Sequence, residues 1–139
     1  MIRFAARTTH PWALRGWIWV TVHDTVEELR IAARNGQDHS TALAVFQPAP
    51  IRISVGPADE TLPQQYAGLM RVTRDVDATI LAHECVHAAA ALWRRQRGLV
   101  VDLGDGVAEP EEAFAYVVGD LVGAVVGGLY RAGVWPRSA

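Results

Sequence analysis

The residues best suited to chemistry lie in one short run, from His83 to His87, with Glu84 directly after the first histidine. Residues four apart share a face of an α-helix, so both imidazoles can reach one metal ion while Glu84 stands beside it. Neutral imidazole binds Zn²⁺ well, and three protein ligands leave a position for water. Glu84 can then take a proton from that water as it attacks a carbonyl group. The run predicts one zinc ion per chain, with His83 and His87 as ligands and Glu84 as the general base.

A third ligand has to be an oxygen donor if it follows the histidines, because no histidine comes after His87. The downstream carboxylates are Asp102, Asp105, Glu109, Glu111, Glu112 and Asp120. Around a helix, Glu112 lies within about 20° of Gly119 and Gly123, and Glu111 is turned about 100° away. We therefore predict Glu112 as the third ligand, with Glu111 as the alternative.

The helix packing that we expect from the sequence also favours Glu112 as the third ligand. A stripe of Ala and Gly lets two helix backbones approach closely. The first long helix carries Ala90 and Ala91 on the histidine face, and the second carries Gly119 and Gly123. We expect these small faces to meet and to direct Glu112 towards the two histidines.

With these residues in view, residues 76–128 resemble a minimal gluzincin, a zinc metallopeptidase whose HExxH helix is followed by a helix bearing a glutamate ligand. The chain is similar to the short stand-alone members of this group that are found in actinobacteria and their phages. The resemblance implies a zincin-like fold, a peptide or protein substrate, and His83, His87 and Glu112 as ligands. Several gluzincins have an aspartate where this chain has Tyr116. Tyr116 then orients a ligand, stabilises the oxyanion or packs in the core, and Asp120 is a further candidate for orienting a ligand.

The surrounding pattern predicts an α+β protein with a single domain over residues 1–139. Trp17 to Val22 is rich in aromatic and β-branched residues, which favours a strand, and Asp24 or Thr25 can cap a short helix after it. Shorter β-like runs at 42–46, 51–55 and 69–73 complete a mixed sheet of about four strands, whereas residues 1–15 are irregular in pattern. Long helices are predicted at 75–96 and from 109 to about 131. The resemblance to zinc peptidases implies that an extended peptide pairs with a sheet edge, which we place at 69–73.

The composition limits the classes of partner and the cellular environment that we expect for this protein. The net charge is −2 with both signs interspersed, so no basic face for nucleic acid is expected. Cys85 is the only cysteine, which excludes an internal disulfide. No signal-peptide pattern is present near the N-terminus, and we expect a cytoplasmic protein. The apolar run 113–130 has the length of a short membrane span, but Asp120 would cost ~3 kcal/mol there, so burial in the core is the better interpretation.

Two other functions remain open from the sequence. The first is a binding or assembly protein whose zinc ion holds the fold together, with little or no catalysis. The intact Glu84 argues against it, because a purely structural site needs no base. The second is an α+β domain without metal, in which His83 and His87 are ordinary helix residues.

Overall fold

The computed structural model describes residues 1–34, 42–50, 65–97 and 108–136. Within these ranges the chain is a small α+β protein with a four-stranded mixed sheet, as the sequence predicts. The elements in chain order are β1 (Ile2–Arg7), β2 (Trp17–His23), α1 (Val26–Ala32), β3 (Val45–Pro48), β4 (Tyr66–Thr73), α2 (Ala78–Arg97) and α3 (Ala108–Arg131). The strand order is β1-β2-β4-β3. The central pair β2 and β4 is parallel, and both outer strands pair antiparallel to their neighbours.

The first strand is one that the sequence pattern did not indicate. Residues 1–15 were expected to be irregular, but Ile2–Arg7 pairs with β2 over its whole length. Phe4 and Ala6 face the core, and the alternate residues Arg3 and Arg7 lie on the opposite face over the rings of Trp19 and Trp17. Both faces of this strand gain their contacts from the rest of the fold. A short run that contains two arginines does not indicate a strand by itself. The run at 51–55 lies outside the described residues.

The predicted sheet edge at 69–73 is wrong, because β4 has a strand on each side. Three of its residues, Ala67, Met70 and Val72, are fully buried, as suits an interior strand. Gly68 has φ +147°, and a Cβ there would overlap the carbonyl oxygen of Gln47 on β3. Glycine therefore lets β3 pair closely with β4, and β3 is the outermost strand on this side among the described residues.

The helices cover both faces of the sheet. Thr25 caps α1 by accepting from the Glu28 N–H at 3.2 Å, and α1 packs Leu29 and Ala33 against Val45. On the other face lie α2 and α3. Asp77 accepts the Ile80 N–H at 2.8 Å and so caps the start of α2.

The two long helices run antiparallel to each other. Near the end of α2, the Gln96 side chain donates to the Arg15 carbonyl, just before β2. Asp120, midway along α3, binds the backbone beyond the end of β1, whereas Gly128, two turns later, lies against Phe4 in the middle of that strand. Helix α3 therefore starts at the end of the sheet where α2 finishes.

The expected packing of small faces is wrong, because α3 turns a different side to the core. Its buried hydrophobic side chains are those of Phe114, Val117, Leu121, Val125 and Leu129. A Cβ on Gly119 or Gly123 would meet nothing within 4 Å. Burying large apolar side chains removes more apolar surface from water than burying glycines, so the larger residues take the core side. Within the described residues, one stretch, Glu111–Arg131, is long and apolar enough to cross a membrane by length and composition, and a core helix passes the same test.

Candidate functional site

His83 and His87 converge on the exposed side of α2. One helical turn separates them, and their Nε2 atoms are 3.1 Å apart. Two zinc–nitrogen bonds of ~2.0–2.1 Å at a tetrahedral angle hold their nitrogens about 3.3 Å apart. The spacing of the pair therefore fits two ligands of a single zinc ion.

Glu84 lies beside this pair but is largely withdrawn from solvent. Its exposed fraction is 8%. Among the described residues no hydrogen bond to its side chain is found, and its carboxylate oxygens keep some contact with solvent. Glu84 and His87 both line one groove of about 270 Å³. The arrangement places a carboxylate next to a histidine pair with the spacing of two zinc ligands, at the wall of a groove.

The other wall of the groove comes from β3 and the residues before it. The lining residues from this segment are Ala42, Ala44, Val45, Phe46 and Pro48, and α2 contributes Glu84, His87, Ala90 and Arg94. The strand beside the histidine helix is therefore β3. The sequence pattern did not indicate Phe46 or Arg94 as site residues, although Arg94 follows His87 by seven residues, a spacing that keeps both on one helix face.

The outer edge of β3 carries free backbone groups in the part of the chain that the structure describes. The Ala49 N–H donates to the Ala67 carbonyl at 2.9 Å, which fixes the hydrogen-bonding register with β4. Antiparallel pairs alternate, so the backbone of Gln47 points to β4 and that of Phe46 points away. Phe46 thus offers an N–H and a carbonyl, and Pro48 offers a carbonyl only.

A chain of polar side chains fixes β3 from the other face of the sheet. Arg71 donates to Gln47 Oε1 at 2.8 Å and lies 3.1 Å from His23 Nε2, and Gln47 donates to the Ala33 carbonyl at 2.9 Å. This series of side-chain contacts links β2, β4, β3 and the end of α1. Burial and the nearby Arg71 guanidinium lower the pKa of His23 below its ordinary 6.5. His23 is therefore held in its neutral form where it supports the groove wall.

The structure does not bring Glu112 to the histidines. Trp93 of α2 packs on Phe114 of α3, with ring centroids 6.2 Å apart. His87 precedes Trp93 by six residues, about 9 Å of helix, and Glu112 lies about 3 Å beyond Phe114 in the opposite direction, so the two are about 12 Å apart along the helices. Glu112 and Glu111 are both exposed. No group of three or more His, Cys, Asp or Glu side chains that could hold a metal ion occurs within the described ranges.

Tyr116 lies in an aromatic cluster beyond the end of β1. Its ring stacks on His10 at 3.9 Å between centroids and meets Trp12 edge-on at 5.5 Å. One turn later, Asp120 Oδ2 accepts the N–H groups of Thr9 and His10, each at 2.7 Å. Both side chains therefore fix the segment after β1, and these contacts give no support to the orienting or oxyanion role expected from the sequence.

Cys85 points away from the groove into the main core, where it is fully buried. Burial, with the neighbouring Glu84 charge, raises the pKa of its thiol to about 12. It stays a protonated thiol and packs as a small apolar residue, as its place on the helix predicts.

In comparisons with known proteins, no family model matches the chain, and neither a curated protein nor a solved structure is found to be similar to it.

Proposed function

We propose that this protein is a zinc-dependent metallopeptidase in which His83 and His87 bind the metal and Glu84 is the general base. One observation carries the proposal. Glu84 as a whole residue is more than nine-tenths buried, no hydrogen bond to its side chain is found within the described residues, and it lines the same groove as His87. A structural metal site has no need of such a group, whereas a hydrolytic site depends on it.

The chain's own residues account for the proton transfer and the binding of substrate. When bound, zinc would polarise the substrate carbonyl and increase the acidity of water. Glu84 accepts a proton from the attacking water and returns it to the leaving amine. Ala90 and Phe46 line the same groove, and a substrate that covers these apolar side chains would displace water from around Glu84.

An extended peptide is the substrate that best suits the wall opposite α2. In this proposal it pairs with the outer edge of β3 through the Phe46 N–H and carbonyl and the Pro48 carbonyl. Backbone pairing depends little on side chains. The strand therefore supplies affinity, and α2 supplies the reacting groups.

Glu84→Gln tests the proposal directly, because it keeps the size of the side chain and removes the base. The variant should bind zinc as wild type does and lose peptide hydrolysis by a factor of ~10²–10⁴. Metal content per chain and cleavage of an unfolded casein-like substrate are the two measurements. His83→Ala is the matched control, and it should lose the metal itself.

The identity of the third zinc ligand needs a separate test. Two histidines fill only two of the coordination positions of zinc, and water or another oxygen donor can fill the others. Glu112 can serve as the third ligand only if α3 shifts so that the offset of about 12 Å along the helices between Glu112 and His87 is largely removed. Glu112→Ala would then lower zinc affinity far more than Glu111→Ala. Equal zinc affinity in the two variants removes Glu112 from the site and leaves the histidine pair and Glu84 as its described residues.

A zinc-stapled binding or assembly protein is the second candidate, and the size of the groove favours it. At about 270 Å³ the groove is smaller than the ~300–1,000 Å³ typical of ligand pockets. If wild type and Glu84→Gln both bind zinc and are equally inert across a broad peptide library, the binding protein becomes the better assignment.

A further inference from the structure

Arg94 lines the same groove as Glu84 and His87, at the end nearer the C-terminus of α2. Seven residues after His87, it lies within about 20° of that histidine around the helix and about 10.5 Å further along it. Arg94 is exposed, and within the described residues its guanidinium has no ion pair or hydrogen bond. Arg94 is therefore a cation on the groove wall without a partner in the part of the chain that the structure describes.

The surroundings of Arg94 favour an anionic partner. The neighbouring Arg95 donates to the carbonyls of Ala49 and Pro50 at 3.3 and 3.1 Å, which brings a second guanidinium to the end of β3. Between Arg94 and His87 the described lining is apolar, with Ala90 and Phe46. Glu84 is the one acidic side chain among the described lining residues, and it lies ten residues before Arg94, about 15 Å of helix.

We propose that the groove selects peptides with a carboxylate that binds Arg94, about three residues from the scissile carbonyl. This inference rests on the proposed peptidase function and names its substrate class. An extended peptide advances ~3.3 Å per residue, so the 10.5 Å between His87 and Arg94 corresponds to about three residues. An acidic side chain and a free C-terminus both supply the carboxylate, and arginine binds either with two parallel hydrogen bonds.

Peptide binding to the zinc-loaded Glu84→Gln protein tests the inference without hydrolysis. In one series of fluorescently labelled heptapeptides, a single Glu occupies each position in turn, and each peptide has a counterpart with Gln at that position. In a second series, the same peptide has either a free or an amidated C-terminus. The best Glu peptide, or the free-acid form, should bind about tenfold more tightly than its neutral counterpart. The Glu series and the C-terminal series separate the two sources of carboxylate.

Arg94→Gln should abolish this preference and leave binding of the neutral peptides unchanged. The control is Arg97→Gln, because Arg97 lies over the Trp93 ring, 6.0 Å from its centroid, and does not line the groove. It should keep the full preference. A preference that survives Arg94→Gln, or that Arg97→Gln removes equally, overturns the inference.

The outcomes also distinguish a failure of the Arg94 proposal from a failure of the proposed peptidase function. Hydrolysis by wild type with no carboxylate preference overturns the role of Arg94 and leaves the peptidase proposal standing. Carboxylate binding that depends on Arg94, in a protein that cleaves no peptide, supports the binding site and contradicts the peptidase proposal. If the protein neither binds the carboxylate peptides nor cleaves any peptide, both proposals are overturned.

Discussion

Two glycines of α3 should respond in opposite directions to the same substitution. Gly128 lies against β1, where a Cβ would fall within 2.5 Å of Phe4 Cδ2 and Cζ and closer still to Cε2. Gly123 is on the same helix, and a Cβ there meets nothing within 4 Å. Alanine is favoured over glycine in a helix interior by roughly 0.5–1 kcal/mol at either position. Only Gly128→Ala adds an overlap with a packed ring.

The overlap forces the Phe4 ring to shift, which costs about 1–3 kcal/mol by overpacking. Gly123→Ala should therefore stabilise the fold by about 0.5–1 kcal/mol, and Gly128→Ala should destabilise it by up to about 2 kcal/mol. Because the helix-propensity term is common to both, the difference between the variants measures the overlap. For a domain near this size each kcal/mol shifts Tm by roughly 2–4 °C, well within the reach of thermal and urea unfolding.

A double-mutant cycle with Phe4→Leu completes the test. Leucine has no ring to collide with, so Gly128→Ala should be less damaging in that background, with a coupling of at least about 0.5 kcal/mol. Equal effects of Gly123→Ala and Gly128→Ala would refute the packing of α3 on β1. A large loss on Gly123→Ala would instead restore the small-face packing expected from the sequence.

Two further predictions concern single side chains. Because burial and Arg71 lower the pKa of His23 below 6.5, the unfolded chain is protonated first as pH falls, so stability declines from about pH 6.5 downwards until the folded His23 also protonates. His23→Gln should flatten this decline in urea unfolding between about pH 7.5 and 5.5, and an unchanged slope would assign the decline to other groups. Asp77→Ala removes the cap of α2 and should cost about 0.5–2 kcal/mol, whereas Asp77→Asn should retain most of it, as measured by the urea midpoint at constant m-value.

The elements with a strong local signal were predicted well. Trp17–His23 is a strand because its β-branched and aromatic residues suit a pleated, largely buried surface. The long helix after Asp77 lacks Gly and Pro and ends in three arginines, which suit the negative end of the helix dipole. The first strand was missed because Ile2–Arg7 becomes a strand only by pairing with β2, a contact distant in sequence.

The sequence by itself determined the histidine pair and the position of Glu84 beside it, because helix geometry alone places residues four apart on one face. It did not determine which face of α3 packs against the sheet. That depended on the competition between a stripe of glycines and a row of larger apolar residues, and the larger buried area prevailed. The same choice of face and the antiparallel course of α3 moved Glu112 away from the histidines. Only the tertiary structure could place β3 opposite α2, since strand order is decided by long-range pairing, and that placement brings Phe46 and Arg94 into the groove with Glu84.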